Sequence, residues 1–215
     1  MSASRSRYPV PAAAPDAPHC TELVIRRSRF LAQSAHTSGP TAARAFVEAL
    51  RRRHTDATHN CWAYVAGPPG HTAQIGSSDD GEPHGTAGRP MLQVLLHSPV
   101  GEICVVVSRW FGGVKLGTGG LVRAYQDSVR QNLESLVLCE RVPQIRLMVT
   151  VDYACLDALR RLLPVHEVSI VDEDYAVAAS LTLRLPEEQE SAFCAALAGV
   201  SNGAAICVRT VDAAD

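Results

Sequence analysis

The densest concentration of chemically useful residues is Ser108-Arg109-Trp110-Phe111-Gly112-Gly113-Val114-Lys115-Leu116-Gly117-Thr118-Gly119-Gly120-Leu121-Val122-Arg123-Ala124-Tyr125, where five of the fifteen glycines fall between 112 and 120. An apolar run over 103–107 leads into it, with the character of a strand buried on both faces. After it, Leu121, Tyr125, Val129, Leu133 and Leu136 recur at helical spacing. A glycine-rich link from a buried strand to a helix start leaves backbone N–H groups uncovered beside the positive end of the helix dipole. That arrangement binds anions, phosphate above all. Gly112, Gly113, Gly117, Thr118, Gly119 and Gly120 supply the backbone, and Arg109, Lys115 and Arg123 supply charge. Lys115 is the only lysine among twenty Lys and Arg residues. The spacing is neither GxxxxGK[ST] nor GxGxxG, so a tight backbone path that needs glycine for steric reasons is the competing reading. Trp110 and Phe111 offer faces on which bases stack, or belong to the core, where Phe111 is expected.

Two further segments carry candidate chemistry. Ser77-Ser78-Asp79-Asp80-Gly81-Glu82-Pro83-His84-Gly85-Thr86 places three acids in four residues. They would hold Mg²⁺ against a phosphate in a hydrolase or transferase, or they form a turn that caps the helix after it; capping is the reading adopted. In Asp56-Ala57-Thr58-His59-Asn60-Cys61, His59 and Cys61 face one side of a strand, as a nucleophile and base would. No second ligand pair lies near, so Cys61 reads as inert and His59 as a positioning residue. His59, Asp79, Asp80, Glu82 and Arg89 are therefore supporting candidates around the anion loop, with no catalytic residue, metal ligand set or cofactor assigned.

The elements that must position these residues follow from periodicity and punctuation. Residues 21–35 form a strand pair or one bent strand around Arg26-Arg27-Ser28-Arg29, and 40–53 form an amphipathic helix with Pro40 in its first turn. Residues 60–66 and 71–75 flank Gly67-Pro68-Pro69-Gly70 as a hairpin. A helix starts near Thr86, and a long one runs from 121 to about Leu138 before Pro143. Beyond that break, strands over 144–152, 167–172, 175–185 and 204–211 and helices over 153–163 and 187–197 give βαββαβ, the ferredoxin-like order. The expected fold class is α+β, with a flexible tail over 1–20, a first domain over 21–140 and a ferredoxin-like domain over 141–215.

Composition narrows the setting. With 47% hydrophobic and 20% charged residues, and no apolar stretch near the roughly 18 residues of a membrane span, a soluble protein without membrane partners is expected. Seven cysteines without CxxC spacing, mostly in apolar runs, read as buried and reduced, hence cytoplasmic. The net charge of −2 is unevenly spread: seven arginines face one acid, Glu48, over 26–53, whereas six arginines face eleven acids from Arg141 onward. A basic first half points to an anionic partner, or to a solvated helix face with arginines at a helix C-terminus.

Ser28-Arg29-Phe30, the motif over 56–64, that over 77–90 and that over 105–125, in this order, resemble the YigZ/IMPACT family. The likeness covers about 23–135, with 144–211 resembling the C-terminal domain of bacterial members. It implies a first domain folded like the second domain of a small-subunit ribosomal protein, and a second like a late domain of elongation factor G. Both of those work on the ribosome. Eukaryotic members regulate translation through an additional N-terminal domain that competes for the scaffold of a starvation-activated kinase; that domain is not expected here, so kinase regulation does not carry over. The resemblance establishes no catalytic residue. The expected function is a non-enzymatic, translation-associated factor that binds nucleic acid, RNA foremost, or the ribosome through the glycine-rich cationic loop, with regulation of translation as its expected role. The alternatives are a metal-assisted enzyme on a small phosphorylated ligand, with Asp79, Asp80 and Glu82 opposite Lys115, and an interaction module that docks a translation factor.

Overall fold

A computed structural model describes residues 7–210 and resolves two units, one spanning Tyr8–Arg141 and the other running from Val142 onward. In the first, β2 (His19–Ile25), β3 (Ser28–His36), β4 (His59–Val65), β5 (Ile75–Ser78) and β6 (Ile103–Trp110) form one sheet in the order β2-β3-β6-β4-β5, every pairing antiparallel. A separate two-stranded ribbon joins β1 (Tyr8–Pro11) to β7 (Leu138–Arg141).

Strand β6 is apolar over 103–107 because helices cover both faces of the sheet. Ile103, Val105 and Val107 pack with Met91 and Leu95 of α2 (Gly88–Leu96) and with Leu121, Tyr125 and Val129 of α3 (Thr118–Ser135). The intervening Cys104 and Val106 pack with Ala43, Phe46, Val47 and Leu50 of α1 (Pro40–Arg53). Alternate side chains of a strand point to opposite faces, so two apolar layers require an unbroken apolar run. At the end of that run the alternation delivers Arg109 to the α2/α3 side.

The second unit contains β8 (Gln144–Val151), α4 (Tyr153–Val165), β9 (Ser169–Tyr175), β10 (Ala179–Pro186), α5 (Glu190–Val200) and β11 (Ile206–Thr210). Its antiparallel order β11-β8-β10-β9 is that of a ferredoxin-like fold. Leu147, Val149, Leu181 and Leu183 meet Leu159 of α4 and Phe193 of α5, while Met148, Ile206 and Val208 sit exposed on the opposite sheet face.

Three expectations need correction. From Tyr8 on, the expected tail is structured: Tyr8–Pro11 pairs with Leu138–Arg141, and His19 already belongs to β2; residues 1–6, like Val211, lie outside the described residues. The long helix stops at Ser135, since Leu138–Arg141 is drawn into that ribbon. Cysteine burial is mixed: Cys61 and Cys104 are buried, but Cys20 and Cys139 are exposed.

The ribbon hangs on one buried carboxylate. Tyr8 Oη–H donates to Glu102 Oε1 at 2.7 Å, Arg141 Nε–H reaches the same oxygen at 3.4 Å, and His36 Nε2 meets Oε2 at 2.6 Å. Burial opposes ionisation of Glu102, but these donors and charges outweigh it and hold its carboxyl below the ordinary glutamate range. A depressed folded-state value means that the stabilisation is present above the unfolded-state value and is lost as pH falls through the folded one. Glu102→Ala is expected to cost about 2–3 kcal/mol in urea unfolding at neutral pH, and Glu102→Gln to remove the part of acid destabilisation that sets in below the ordinary glutamate value.

Candidate functional site

The chain leaves the sheet after Trp110 along a path that explains one glycine sterically. Phe111 N–H donates to Thr58 Oγ1 at 3.1 Å and Gly112 N–H to Ser28 Oγ at 3.2 Å. A Cβ on Gly112 would stand 2.0 Å from the carbonyl carbon and oxygen of Arg27, in the turn where Arg26 and Arg27 take φ of 45° and 67°. Gly112 is therefore where the backbone of the β2–β3 turn, at Arg27 and Ser28, packs against the loop. Further on, Gly117 (φ 76°) precedes α3, whose first backbone bond runs from Leu121 N–H to Gly117 O at 2.9 Å. The amides of 118–120 come before that bond and are the helix's unsatisfied donors.

A cleft of about 440 Å³ opens between this loop and the strands, with Thr58, His59, Glu82, Arg109, Phe111, Lys115, Gly117 and Thr118 in its wall beside the apolar Pro83, Leu116 and Leu121. Arg109 forms its floor. The side chain is only 7% exposed, and Nη1–H donates to Glu82 Oε1 at 2.5 Å. Tyr125 Oη–H donates to the same oxygen at 2.8 Å, and Cys61 Sγ lies 3.3 Å from Tyr125 Oη and 3.0 Å from Asp79 O. Burial raises both the Cys61 thiol and the Tyr125 phenol far above their ordinary values, and the neighbouring Glu82 charge adds to it, so both stay protonated. Cys61 is thereby inert as a nucleophile. Among the described residues, Arg109 Nε is enclosed without a partner and Nη2 makes no hydrogen bond.

Above this floor stand the groups left available. His59 Nδ1 lies 2.8 Å from Asp80 O, a carbonyl that can only accept, so Nδ1 carries a proton, and Nε2 has no partner among the described residues. Lys115 is exposed on the loop. Phe111, expected in the core, is 48% exposed, with the Arg109 guanidinium 5.7 Å from its ring centroid. The β6 alternation sends Trp110 to the other face, where Arg29 covers it at 4.5 Å, His54 meets it edge-on and Asp56 accepts from Nε1 at 2.9 Å.

The acids are dispersed. Asp79 accepts from the amides of Gly85, Ala87 and Gly88 at 2.8, 3.1 and 2.9 Å; burial opposes its ionisation, but those three bonds outweigh it and lower its value, as in a cap on α2. Asp80 accepts from Arg51 Nη2 and from Asn60 N–H, both at 2.6 Å. Only Glu82 reaches the cleft. Arg89 lines a different concavity with Ser77 and His84, and Arg123 Nε–H donates to Gly119 O at 3.4 Å, outside the cleft wall. Thus Arg109, Lys115, Gly117, Thr118, His59 and Glu82 converge, Gly112 and Gly113 shape the path, and Gly119, Gly120 and Arg123 occupy the first turns of α3. Sequence reasoning missed Thr58, although it lies in the segment that yielded His59.

Two glycines separate steric need from openness. Gly112→Ala drives a Cβ into backbone and is expected to cost about 3 kcal/mol, whereas Gly119→Ala, in a helix with nothing within 4 Å of the new methyl, is expected to stabilise by about 0.5–1 kcal/mol in chemical denaturation. Glu82→Ala strands a buried guanidinium and is expected to cost about 3–5 kcal/mol by the same measurement.

Comparison with known proteins adds lineage to this geometry. Residues 26–133 match the Impact N-terminal domain and residues 149–204 match the domain of unknown function DUF1949. The chain is 44% identical over 189 residues to the IMPACT family member YigZ of Escherichia coli strain K12, covering 88% of this chain and 93% of that one. A crystal structure of a hypothetical protein superposes with a TM-score of 0.69 at 41% identity, over 97% of this chain and 99% of the other. The two-domain translational regulator Yih1 is 28% identical, with a TM-score of 0.39, over 54% of this chain and 46% of its own. With the first domain matched across the strands and loop that build the cleft, and a bacterial relative matched along most of both lengths, the chain belongs to the IMPACT family.

Proposed function

We propose that this protein is a non-enzymatic factor associated with translation, which binds RNA, free or in the ribosome, through the cleft and the basic end of the first sheet. The observation that carries this reading is the pairing of an exposed aromatic ring, Phe111, with an unpaired ammonium, Lys115, in one cleft. Around it the sheet topology gathers cations: the turn bearing Arg26 and Arg27 touches Gly112, and α1 ends in Arg52 and Arg53 just before the strand that carries His59. Stacking surface beside a cationic rim is how proteins hold nucleic acid without a duplex groove reader. The alternative of three carboxylates holding a metal opposite Lys115 draws little from the geometry, since Asp79 is committed to amides and Asp80 to Arg51 and Asn60.

The test is binding of structured ribosomal RNA to the full chain over a salt series. Affinity is expected to fall steeply with salt, and Lys115→Ala to reduce the slope of log K against log salt by about one unit; Arg26→Ala with Arg27→Ala is expected to remove about two. Arg123→Ala is expected to do little. RNA binding that ignores salt, or is equal in the wild type and the Lys115 variant, overturns the reading.

A further inference from the structure

The shape of the cleft also selects the form of nucleic acid that enters it, an inference that rests on the RNA reading above. At about 440 Å³ the cleft has the size of a small-ligand site, far short of what a helical stem would need. Its apolar wall of Pro83, Leu116 and Leu121 and its half-exposed Phe111 suit a flat base with at least one free π-face. Paired bases lack such a face, because neighbours in the stack cover both sides, whereas bases in loops, bulges and ends can be splayed out.

Charge narrows the ligand further. Glu82 already compensates Arg109, so among the arginines and lysines of the cleft wall Lys115 brings the uncompensated positive charge. One charge matches the single negative charge of a phosphodiester rather than a polyphosphate. The nine-tenths-buried Arg109 points the same way, since its Nη2 is free for an acceptor while Nε is enclosed without a partner. A buried guanidinium left partly unsatisfied in the floor of a cleft is completed when an acceptor arrives there.

We propose that the cleft takes one unpaired nucleotide of an RNA strand, with its base against Phe111 and its phosphodiester at Lys115, and that paired stems are excluded. The experiment uses the full chain and a short labelled oligoadenylate, set against a blunt duplex of equal length, with the dinucleoside monophosphate ApA and inorganic phosphate as competitors at matched ionic strength. The single strand is expected to bind at least about tenfold more tightly than the duplex, and ApA, but not phosphate, to displace it. Phe111→Ala is expected to weaken single-strand binding about tenfold and Phe111→Trp to retain it, which separates stacking from a folding defect. Equal affinity for duplex and single strand, displacement by phosphate as effective as by ApA, or full affinity in Phe111→Ala overturns the inference. If Lys115→Ala weakens both forms while Phe111→Ala weakens neither, the phosphate-binding surface stands and the nucleotide site falls. If no RNA binds in a salt-sensitive way, the reading beneath it falls as well.

Discussion

The buried contact between Arg109 and Glu82 is the constraint around which the first unit is arranged. A guanidinium at the end of a strand buried on both faces has almost no water to retain, and a carboxylate from the 79–88 segment has to come to it. That demand pins the segment against the sheet. Once pinned, the same carboxylate oxygen receives the Tyr125 hydroxyl, which ties α3 to the floor, and Asp79 is set to gather the amides at the start of α2. The desolvation of two charges makes such a pair a doubtful source of net stability, since an apolar filling of the same space does as well or better. What the pair supplies instead is placement: a polar floor, fixed from three directions, under a cleft whose wall is partly apolar.

That arrangement divides the cations of the basic half into two kinds. Arg109 and Arg51 are consumed internally, one by Glu82 and the other by Glu48 and Asp80; Arg29 is spent on Glu22 and the face of Trp110. Arg26, Arg27 and Lys115 remain open to solvent. A count of arginines along the chain cannot tell these apart, because the difference is made by acids that lie far off in sequence: Asp80 is 29 residues from Arg51, and Glu82 is 27 from Arg109. The single lysine falls among the open ones, where a compact ammonium on a flexible stem reaches into a cleft without demanding the planar partner that arginine favours.

How far the sequence spoke depended on whether a residue's role is local. The buried strand over 103–107, the amphipathic helices and the βαββαβ order of the second unit rest on periodicity, and periodicity is local. The cap formed by Asp79 was legible for the same reason, since its amides are six to nine residues away. The strand at Tyr8–Pro11 was not legible, because its partner at Leu138–Arg141 is more than a hundred residues on and neither strand is strongly patterned. Phe111 was misplaced because an aromatic beside an apolar run reads as core. Its exposure follows from the backbone leaving the sheet beside Gly112, whose close approach to Arg27 no window of sequence contains. Arg123 looked equivalent to Lys115 by proximity to the glycines, yet its position four residues after Gly119, one turn along α3, brings it to the carbonyl of Gly119.

The chemistry of the cleft is consistent with recognition by shape more than by field. Net attraction from one lysine is weak at physiological salt, where a charge is felt over only about 8 Å. For the proposed ligand, distant steering would come from the rim arginines, and retention from contacts that act at van der Waals range. Phe111, Leu116 and the partly satisfied Arg109 are contacts of that kind, and each favours an occupant that can be desolvated on one face and remain charged at one edge. A simple phosphate has no face to give up, and a helical stem has no edge that enters. The same buried ion pair that organises the fold thus removes charge from the site, so that on the proposed reading an occupant would be chosen by its surface and not by its charge alone.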